Sequence, residues 1–146
     1  MYEMTLALHN LLRWIALLLP AIILIRSAMT WLQKTGPGER DIKLVRANVV
    51  VYDVQFLIGL VLYIFLSPIT AAAFADFKAA MKAPDIRFFA VEHIALMIVA
   101  VAFAHLLKVI PAKKEGARRS FLQMILSLIL LLVLAVGIPW FRPLFP

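Results

Sequence analysis

Residues 88–110 read FFAVEHIALMIVAVAFAHLLKVI and form one of four apolar stretches that decide the fold. A helix needs about 20 apolar residues to cross a hydrocarbon core of roughly 30 Å. Residues 5–32, 45–66 and 121–140 also meet this length. Because short segments connect the stretches, the sequence predicts an all-α fold, a four-helix transmembrane bundle that runs up-down-up-down. Residues 71–81 predict a further short helix that lies at the membrane interface between the second and third spans.

The composition predicts that the whole chain lies in a membrane. Of its 146 residues, 64% are hydrophobic, which exceeds the share in a soluble domain, so the excess has to face a lipid bilayer. The absence of cysteine excludes disulfides, iron–sulfur clusters and covalently attached haem. The net charge of +7 does not predict nucleic-acid binding, because the basic residues lie between the apolar stretches and form no stripe. We therefore predict a single integral membrane domain over residues 1–146.

Lysine and arginine predict the orientation of the spans, since cytoplasmic loops carry an excess of both. Nine of them lie in or beside the first and third loops: Lys34, Arg40, Lys43, Arg46, Lys108, Lys113, Lys114, Arg118 and Arg119. Four lie on the opposite side: Lys78, Lys82, Arg87 and Arg142. Both termini are therefore predicted on the periplasmic side of a bacterial inner membrane. The first apolar stretch is too long for a signal-peptide core and predicts a retained helix, and residues 138–146 predict an aromatic interfacial anchor.

Two histidines predict a cofactor site. His9 and His93 each lie about five residues inside the outer end of a span, which places both roughly 7 Å into the core at 1.5 Å per residue. Two imidazoles at one depth can supply both axial ligands of a b-type haem. Arg13, one helical turn from His9, would balance a haem propionate. Gly59 on the second span would let a flat ring or another helix approach closely, and a small-residue packing seam is the simpler interpretation. The simpler interpretation is that both histidines only hydrogen-bond inside the bundle.

Glu92 leaves two alternatives open for this outer layer. Arg13 can pair with Glu92 across the helices instead of meeting a propionate. Glu92 can also join His93 and His9 in holding a metal ion such as zinc or iron directly, although the spacing matches no standard motif. Both alternatives use the same depth of the membrane as the haem hypothesis.

A second polar layer lies nearer the basic loops. A charge inside a span costs at least a few kcal/mol, so Asp53 needs a partner, and Arg26 or His105 can serve. The pair either fixes helix packing or forms a protonatable site that serves a quinone or proton movement. No second histidine accompanies His105 on this side, so a second bis-histidine haem is not predicted. Met29 or Met124 could in principle take the place of the missing histidine as a ligand.

Two segments carry a family resemblance: LHNLLRW at residues 8–14 and RFFAVEH at residues 87–93. They resemble a family of small bacterial four-helix membrane proteins, uncharacterised or loosely labelled as cytochrome b-like, and the likeness runs over most of the chain. Paired histidines on facing helices are also similar to small membrane cytochromes b. The resemblance implies haem b on His9 and His93. Larger two-haem cytochromes usually carry two histidine pairs, whereas this chain has three histidines.

Three functions remain open from the sequence. The first is a b-type cytochrome-like subunit that carries electrons through one haem between spans one and three, to or from a quinol or a partner protein. The second is a non-catalytic accessory subunit of a larger respiratory or transport complex, or a homo-oligomer. The third is a small proton-coupled transporter. A stand-alone enzyme is less expected than a subunit, because the chain has no hydrolase, metalloprotease or phosphate-binding motif.

Overall fold

Four long helices make up most of the protein in a computed structural model that describes residues 1–142. They are α1 (Tyr2–Leu32), α2 (Glu39–Leu66), α5 (Pro84–Ala112) and α6 (Gly116–Gly137), and each is long and apolar enough to cross a membrane. No strand occurs within the described residues. The predicted all-α fold with four apolar helices is therefore confirmed. The end of the predicted tail anchor, residues 143–146, lies outside the described residues.

The segment between the second and third long helices forms two short helices, α3 (Pro68–Ala75) and α4 (Phe77–Ala80). The prediction of one short helix over residues 71–81 was therefore wrong in detail. Asp76 ends α3 and caps α4, since its carboxylate accepts a hydrogen bond from the amide of Ala79 at 2.9 Å. An aspartate in this position satisfies an amide that a continuous helix would have bonded to its own backbone.

The four long helices pack as a ring in which each contacts two neighbours. Helix α1 packs on α2 and α6, and α5 completes the ring between α2 and α6. Helices α1 and α5 therefore face each other diagonally across the bundle. The buried core is rich in small residues, with Ala16 on α1 and Ala100 and Ala104 on α5 each at most 4% exposed. Small side chains let helix backbones approach closely, which is how helices associate where lipid supplies no hydrophobic drive.

The outer surface of the bundle is apolar along all four long helices. Leu18, Leu57, Ile98 and Leu132 each expose more than half of their surface, and many other large apolar side chains are also exposed. A water-soluble protein does not present so much contiguous apolar surface. The exposed surface therefore suits a lipid environment.

Polar contacts join the helices at the end where residues 33–38 and 113–115 connect them, which we call the basic end. Arg26 on α1 forms an ion pair with Asp41 in the first turn of α2. The same carboxylate accepts a hydrogen bond from the amide of Gly38 at 2.9 Å, which caps α2. The hydroxyl of Thr30 donates to that of Ser120 at 2.8 Å and so ties α1 to α6.

Replacing Asp41 with alanine is expected to lower the stability of the bundle by about 1–3 kcal/mol, because the change removes a helix cap and the partner of Arg26 together. Asp41 is 8% exposed, so water compensates little of the loss. Thermal unfolding in detergent measures the effect. Glu39→Ala is the matched control, because the Glu39 side chain is 82% exposed and pairs only with Lys43 in the same turn. Equal effects of the two variants would contradict this account.

Candidate functional site

The principal cavity of the protein lies between the helices at the end opposite the basic end, which we call the histidine end. It has two adjoining parts of about 110 and 520 Å³. The combined volume of the two parts is within the usual range of roughly 300–1,000 Å³ for ligand pockets. The two parts share eight lining residues from α1, α2 and α5: Leu6, His9, Asn10, Arg13, Gly59, Tyr63, Phe89 and His93.

The structure brings His9 and His93 together across this cavity. Their ring centres lie 6.4 Å apart, with the ring planes at 73°. His9 comes from α1 and His93 from α5, so the pair bridges the two diagonal helices of the ring. The two histidines that the sequence placed at equal depth are therefore neighbours in the bundle.

A backbone carbonyl orients the His93 ring. Nδ1 of His93 lies 2.8 Å from the carbonyl oxygen of Gly137, the last residue of α6. A carbonyl can only accept, so Nδ1 carries the proton and donates it, which leaves the lone pair of Nε2 available to a ligand. Metal-binding histidines are commonly held in this way by an outer hydrogen bond from the second ring nitrogen.

Aromatic rings surround His93 on its own helix. The ring centres of Phe88 and Phe89 lie 5.9 and 6.0 Å from that of His93. Phe141 packs against both phenylalanines, at 5.4 and 6.1 Å. Sequence reasoning did not single out these aromatic residues as part of the site, although the first two belong to the RFFAVEH segment. The cluster restricts the orientations that the His93 ring can adopt.

His9 packs against a glycine and has an unsatisfied nitrogen. A Cβ built on Gly59 would lie 3.1 Å from Cε1 and 3.6 Å from Nδ1 of His9, so any larger residue there would press on the ring. Nδ1 of His9 is buried and has no hydrogen-bond partner among the described residues. A buried polar atom left unpaired costs about 1–3 kcal/mol. Nδ1 of His9 therefore leaves a hydrogen-bond or ligand position that residues 1–142 do not fill.

Two π-helical stretches flank the site, one in α2 (Leu62–Leu66) and one in α5 (Phe88–Glu92). They are joined by the Tyr63 hydroxyl, which donates to the carbonyl oxygen of Ala90 at 2.6 Å. A π-helical turn widens a helix and is frequent at functional sites. Here the widened turn in α5 ends immediately before His93 and so sets the direction in which its side chain leaves the helix.

Two arginines bring positive charge to the cavity. Arg13 lines both of its parts and is only 8% exposed. Its guanidinium carbon also lies 5.7 Å from the ring centre of Trp14. Arg142 lines the larger part and lies 5.3 Å from the ring centre of Phe89. The cavity is thus suited to a ligand with an apolar body and a negatively charged end.

The residues of this cavity fit a haem by three tests. A metal–imidazole bond is about 2 Å long, so two imidazoles on opposite sides of one metal have ring centres roughly 6 Å apart, close to the 6.4 Å observed. Gly59 leaves room for the His9 ring, since a Cβ there would lie 3.1 Å from its Cε1. Two neutral imidazoles are a donor set that suits b-type haem, and the nearby arginine can balance the charge of a haem propionate.

A metal ion bound directly, without a macrocycle, would need Glu92 beside His93 and His9. No group of three His, Cys, Asp or Glu side chains suited to a metal ion occurs within residues 1–142. Glu92 accepts a hydrogen bond from Nε of Arg87 at 2.8 Å, and its side chain is 41% exposed. Both alternatives for the outer layer, pairing with Arg13 and direct metal binding, need the Glu92 carboxylate. This carboxylate is engaged by Arg87.

The second polar layer is not one site. Asp53 pairs with His105, one of its two predicted partners, with Oδ1 and Nε2 2.9 Å apart. Arg26, the other predicted partner, pairs with Asp41 instead. Sequence reasoning did not consider Asp41 as the partner, although an acidic residue in the first turn is a common signal of a helix start. Neither pair lines the histidine cavity.

Comparisons with known proteins add no relative to this picture. No protein-family model, no curated protein and no solved structure matches the chain. The function is therefore inferred from the residues of the cavity.

Replacing Gly137 with alanine is expected to destabilise the bundle by about 1–3 kcal/mol, the usual cost of overpacking. A Cβ on Gly137 would lie 3.2 Å from Cβ of Leu96, which cannot move without its helix, and 2.6 Å from the flexible end of Met97. The carbonyl that holds His93 would shift with α6. Thermal unfolding measures the loss. Ala135→Ser on the exposed side of the same helix serves as the control, and an unchanged melting temperature in Gly137→Ala would contradict the close packing.

Proposed function

We propose that the protein is a membrane cytochrome of the b type, in which His9 and His93 hold one haem and the chain carries electrons. The observation that carries the proposal is the approach of two half-buried imidazoles to 6.4 Å inside a cavity that also contains a buried arginine. When bound, haem supplies a one-electron couple that no amino-acid side chain here can provide. The chain supplies the ligands, the charge balance and the exclusion of water.

The proposal includes an up-down-up-down path through the membrane. Tyr52 bonds the carbonyl of Ala16, and Gln55, further along α2, bonds the carbonyl of His9, earlier along α1. These contacts support antiparallel packing of α1 and α2. A Cβ on Gly36 would lie 3.2 Å from Cα of Gly116, which supports a common end for the first and third loops. Helices α1 and α5 then run in the same direction, so two histidines near their beginnings lie at one depth.

The orientation follows from charge. Nine lysines and arginines in or beside the first and third loops, against four on the other side, favour a cytoplasmic basic end. The histidine end and both termini then face the periplasm, and α3 and α4 lie at the outer interface. A bacterial inner membrane is the setting that this topology suits.

Each residue of the site has a separate role. His93 would hold the iron through Nε2, while the carbonyl of Gly137 fixes its ring through Nδ1. His9 would supply the second nitrogen ligand, and Gly59 leaves room for its ring beside α2. Arg13 would supply a buried positive charge that balances a haem propionate. A quinol or a protein partner supplies or removes the electron.

Arg13 is expected to raise the reduction potential, because a positive charge favours the reduced iron, which carries one positive charge fewer. Arg13→Leu should therefore lower the midpoint potential by tens of millivolts, about 59 mV being a tenfold change for one electron. Arg13→Lys keeps the charge and should restore most of the value. A redox titration followed by absorbance measures both variants. An unchanged potential in Arg13→Leu would contradict the assigned role.

The proposal itself is tested by the absorption spectrum of purified protein from cells that are supplied with a haem precursor. A reduced-minus-oxidised difference spectrum of a low-spin b-type cytochrome, with about one haem per chain, is expected from two imidazole ligands. Folded protein that remains colourless under these conditions would overturn the proposal.

The transporter alternative gains no support from the site, since Asp53 and His105 lie outside the histidine cavity.

A further inference from the structure

Asp53 and His105 form a polar pair on the outside of the bundle. Their side chains are 45% and 48% exposed, although Oδ1 and Nε2 lie only 2.9 Å apart. Asp53 lies near the middle of α2 (Glu39–Leu66), away from both ends of the helix. The pair therefore lies at the level of the lipid chains and not at a membrane surface.

Such a position is costly unless something covers it. An aspartate at the centre of a membrane helix costs about 2.5–3.5 kcal/mol on insertion scales, and polar side chains in spans almost always face a protein interior or a water-filled cavity. The mutual hydrogen bond satisfies only part of each group. A carboxylate retains free lone pairs, and about half of both side chains remains uncovered. The remaining surface needs a polar partner at the same depth.

The surroundings of the pair have the spacing of a helix-packing seam. On α2, exposed Val50 and Leu57 precede and follow Asp53 by three and four residues. On α5, His105 lies in a matching run with alternating spacings of four and three residues: Ile98, Ala102, His105 and Val109, all exposed. Alternating three- and four-residue steps keep side chains on the face that a partner helix contacts. We call these two runs together the α2–α5 face.

We propose that the α2–α5 face packs against the same face of a second copy of this chain. The face is self-complementary, because it carries an acid and a base side by side. Copies inserted in the same direction are related by a two-fold axis along the membrane normal, and such an axis preserves depth. Asp53 and His105 share one depth through their hydrogen bond, so all four side chains of a dimer meet at one level, with no shift of register.

The polar pair would fix the register of the dimer, while its apolar neighbours supply the packing. A single polar position in an apolar helix interface is a known way to specify one partner and one alignment. An unrelated subunit would need its own acid and base at this depth, whereas a second copy already has both. The proposal does not depend on whether the histidine cavity binds haem.

Cysteine crosslinking tests the proposal cleanly, because the chain contains no cysteine. Single variants Leu57→Cys and Ala102→Cys place a thiol on the α2–α5 face. Leu132→Cys on α6 is the matched control, since Leu132 is 58% exposed and Leu57 is 59% exposed. Oxidation in native membranes should link at least one of the two face variants into a product of two 16.4 kDa chains, and should leave the control single.

A second variant separates the polar pair from simple apolar contact. Asp53→Leu/His105→Leu replaces both groups with residues that membrane helices favour, so each chain should still fold. The dimer loses the polar pair that aligns its two copies. Self-association measured by energy transfer between labelled chains in liposomes should weaken by at least about tenfold, which corresponds to 1.4 kcal/mol. The exchange Asp53→His/His105→Asp keeps one acid and one base on the face and should restore association.

The results of these experiments either support the dimer or overturn it. Two-copy crosslinks confined to the α2–α5 face, together with weakened association in the double leucine variant, support the dimer. Crosslinks that form equally through Leu132→Cys overturn it, as does a protein that remains monomeric in lipid. A crosslinked product of another mass, which would indicate a different membrane protein on this face, also overturns it.

Discussion

Protein with His93→Ala is expected to lose haem almost completely, although the bundle remains folded. Loss of a single outer-shell partner of a metal ligand commonly weakens binding by about 10–100-fold, and loss of the ligand itself should exceed about 100-fold. His93 is one of only two imidazoles in the cavity within the described residues, so no other histidine can replace it. Haem content per chain, measured by extraction, should fall from about one to near zero.

The third histidine provides a matched control for this loss. His105→Ala removes the same side chain from a position outside the cavity, where His105 pairs with Asp53. This variant should retain its haem content and its spectrum, whereas His9→Ala should behave like His93→Ala. Retention of a six-coordinate spectrum in His93→Ala would show that the ligand assignment is incorrect.

The second large effect is expected at Gly59, where a side chain would fill the space beside His9. Gly59→Ala puts a Cβ 3.1 Å from Cε1 of His9, and overpacking of this kind costs about 1–3 kcal/mol. Haem affinity should fall by roughly tenfold in Gly59→Ala, since 1.4 kcal/mol is tenfold. Gly59→Leu extends further into the cavity and should abolish binding.

In Gly59→Ala the gain of about 1 kcal/mol for Ala over Gly inside a helix offsets part of the cost of pressing on the His9 ring. The expected pattern is therefore a melting temperature of the haem-free Gly59→Ala protein that falls only slightly, with clearly weakened haem binding. Gly38→Ala is the control, since its Cβ would meet only Asp41 Oδ2 at an ordinary 3.6 Å. Haem affinity in Gly59→Leu equal to that of the original protein would mean that the ligand does not use this part of the cavity.

Much of the architecture could be predicted from the sequence because lipid imposes a simple rule of length and polarity. Four apolar stretches of sufficient length could only be helices, and the structure contains four such helices. The two histidines could be paired in advance because each lies at a similar distance from the start of its span. The depth of a residue in the membrane can be estimated by counting residues along its helix.

The partners of the polar residues were harder to predict, because they depend on how the helices are rotated about their axes. Sequence reasoning left Asp53 with two possible partners, and only the packing of α2 against α5 selects His105. The hydrogen bond from His93 to Gly137 joins a side chain to a backbone carbonyl 44 residues away. Every residue has such a carbonyl, so no residue type marks this one as the acceptor. The break at Asp76 depends on a cap, which periodicity alone does not reveal.

The most direct test of the central claim is a titration of the purified haem-free protein with ferric haem, followed by absorbance and electron paramagnetic resonance. The account predicts saturation at about one haem per chain and a low-spin, six-coordinate signal typical of two imidazole ligands. Uptake that never saturates, or a high-spin signal that is the same in His9→Ala and His93→Ala, would contradict the claim that these two rings share one ligand.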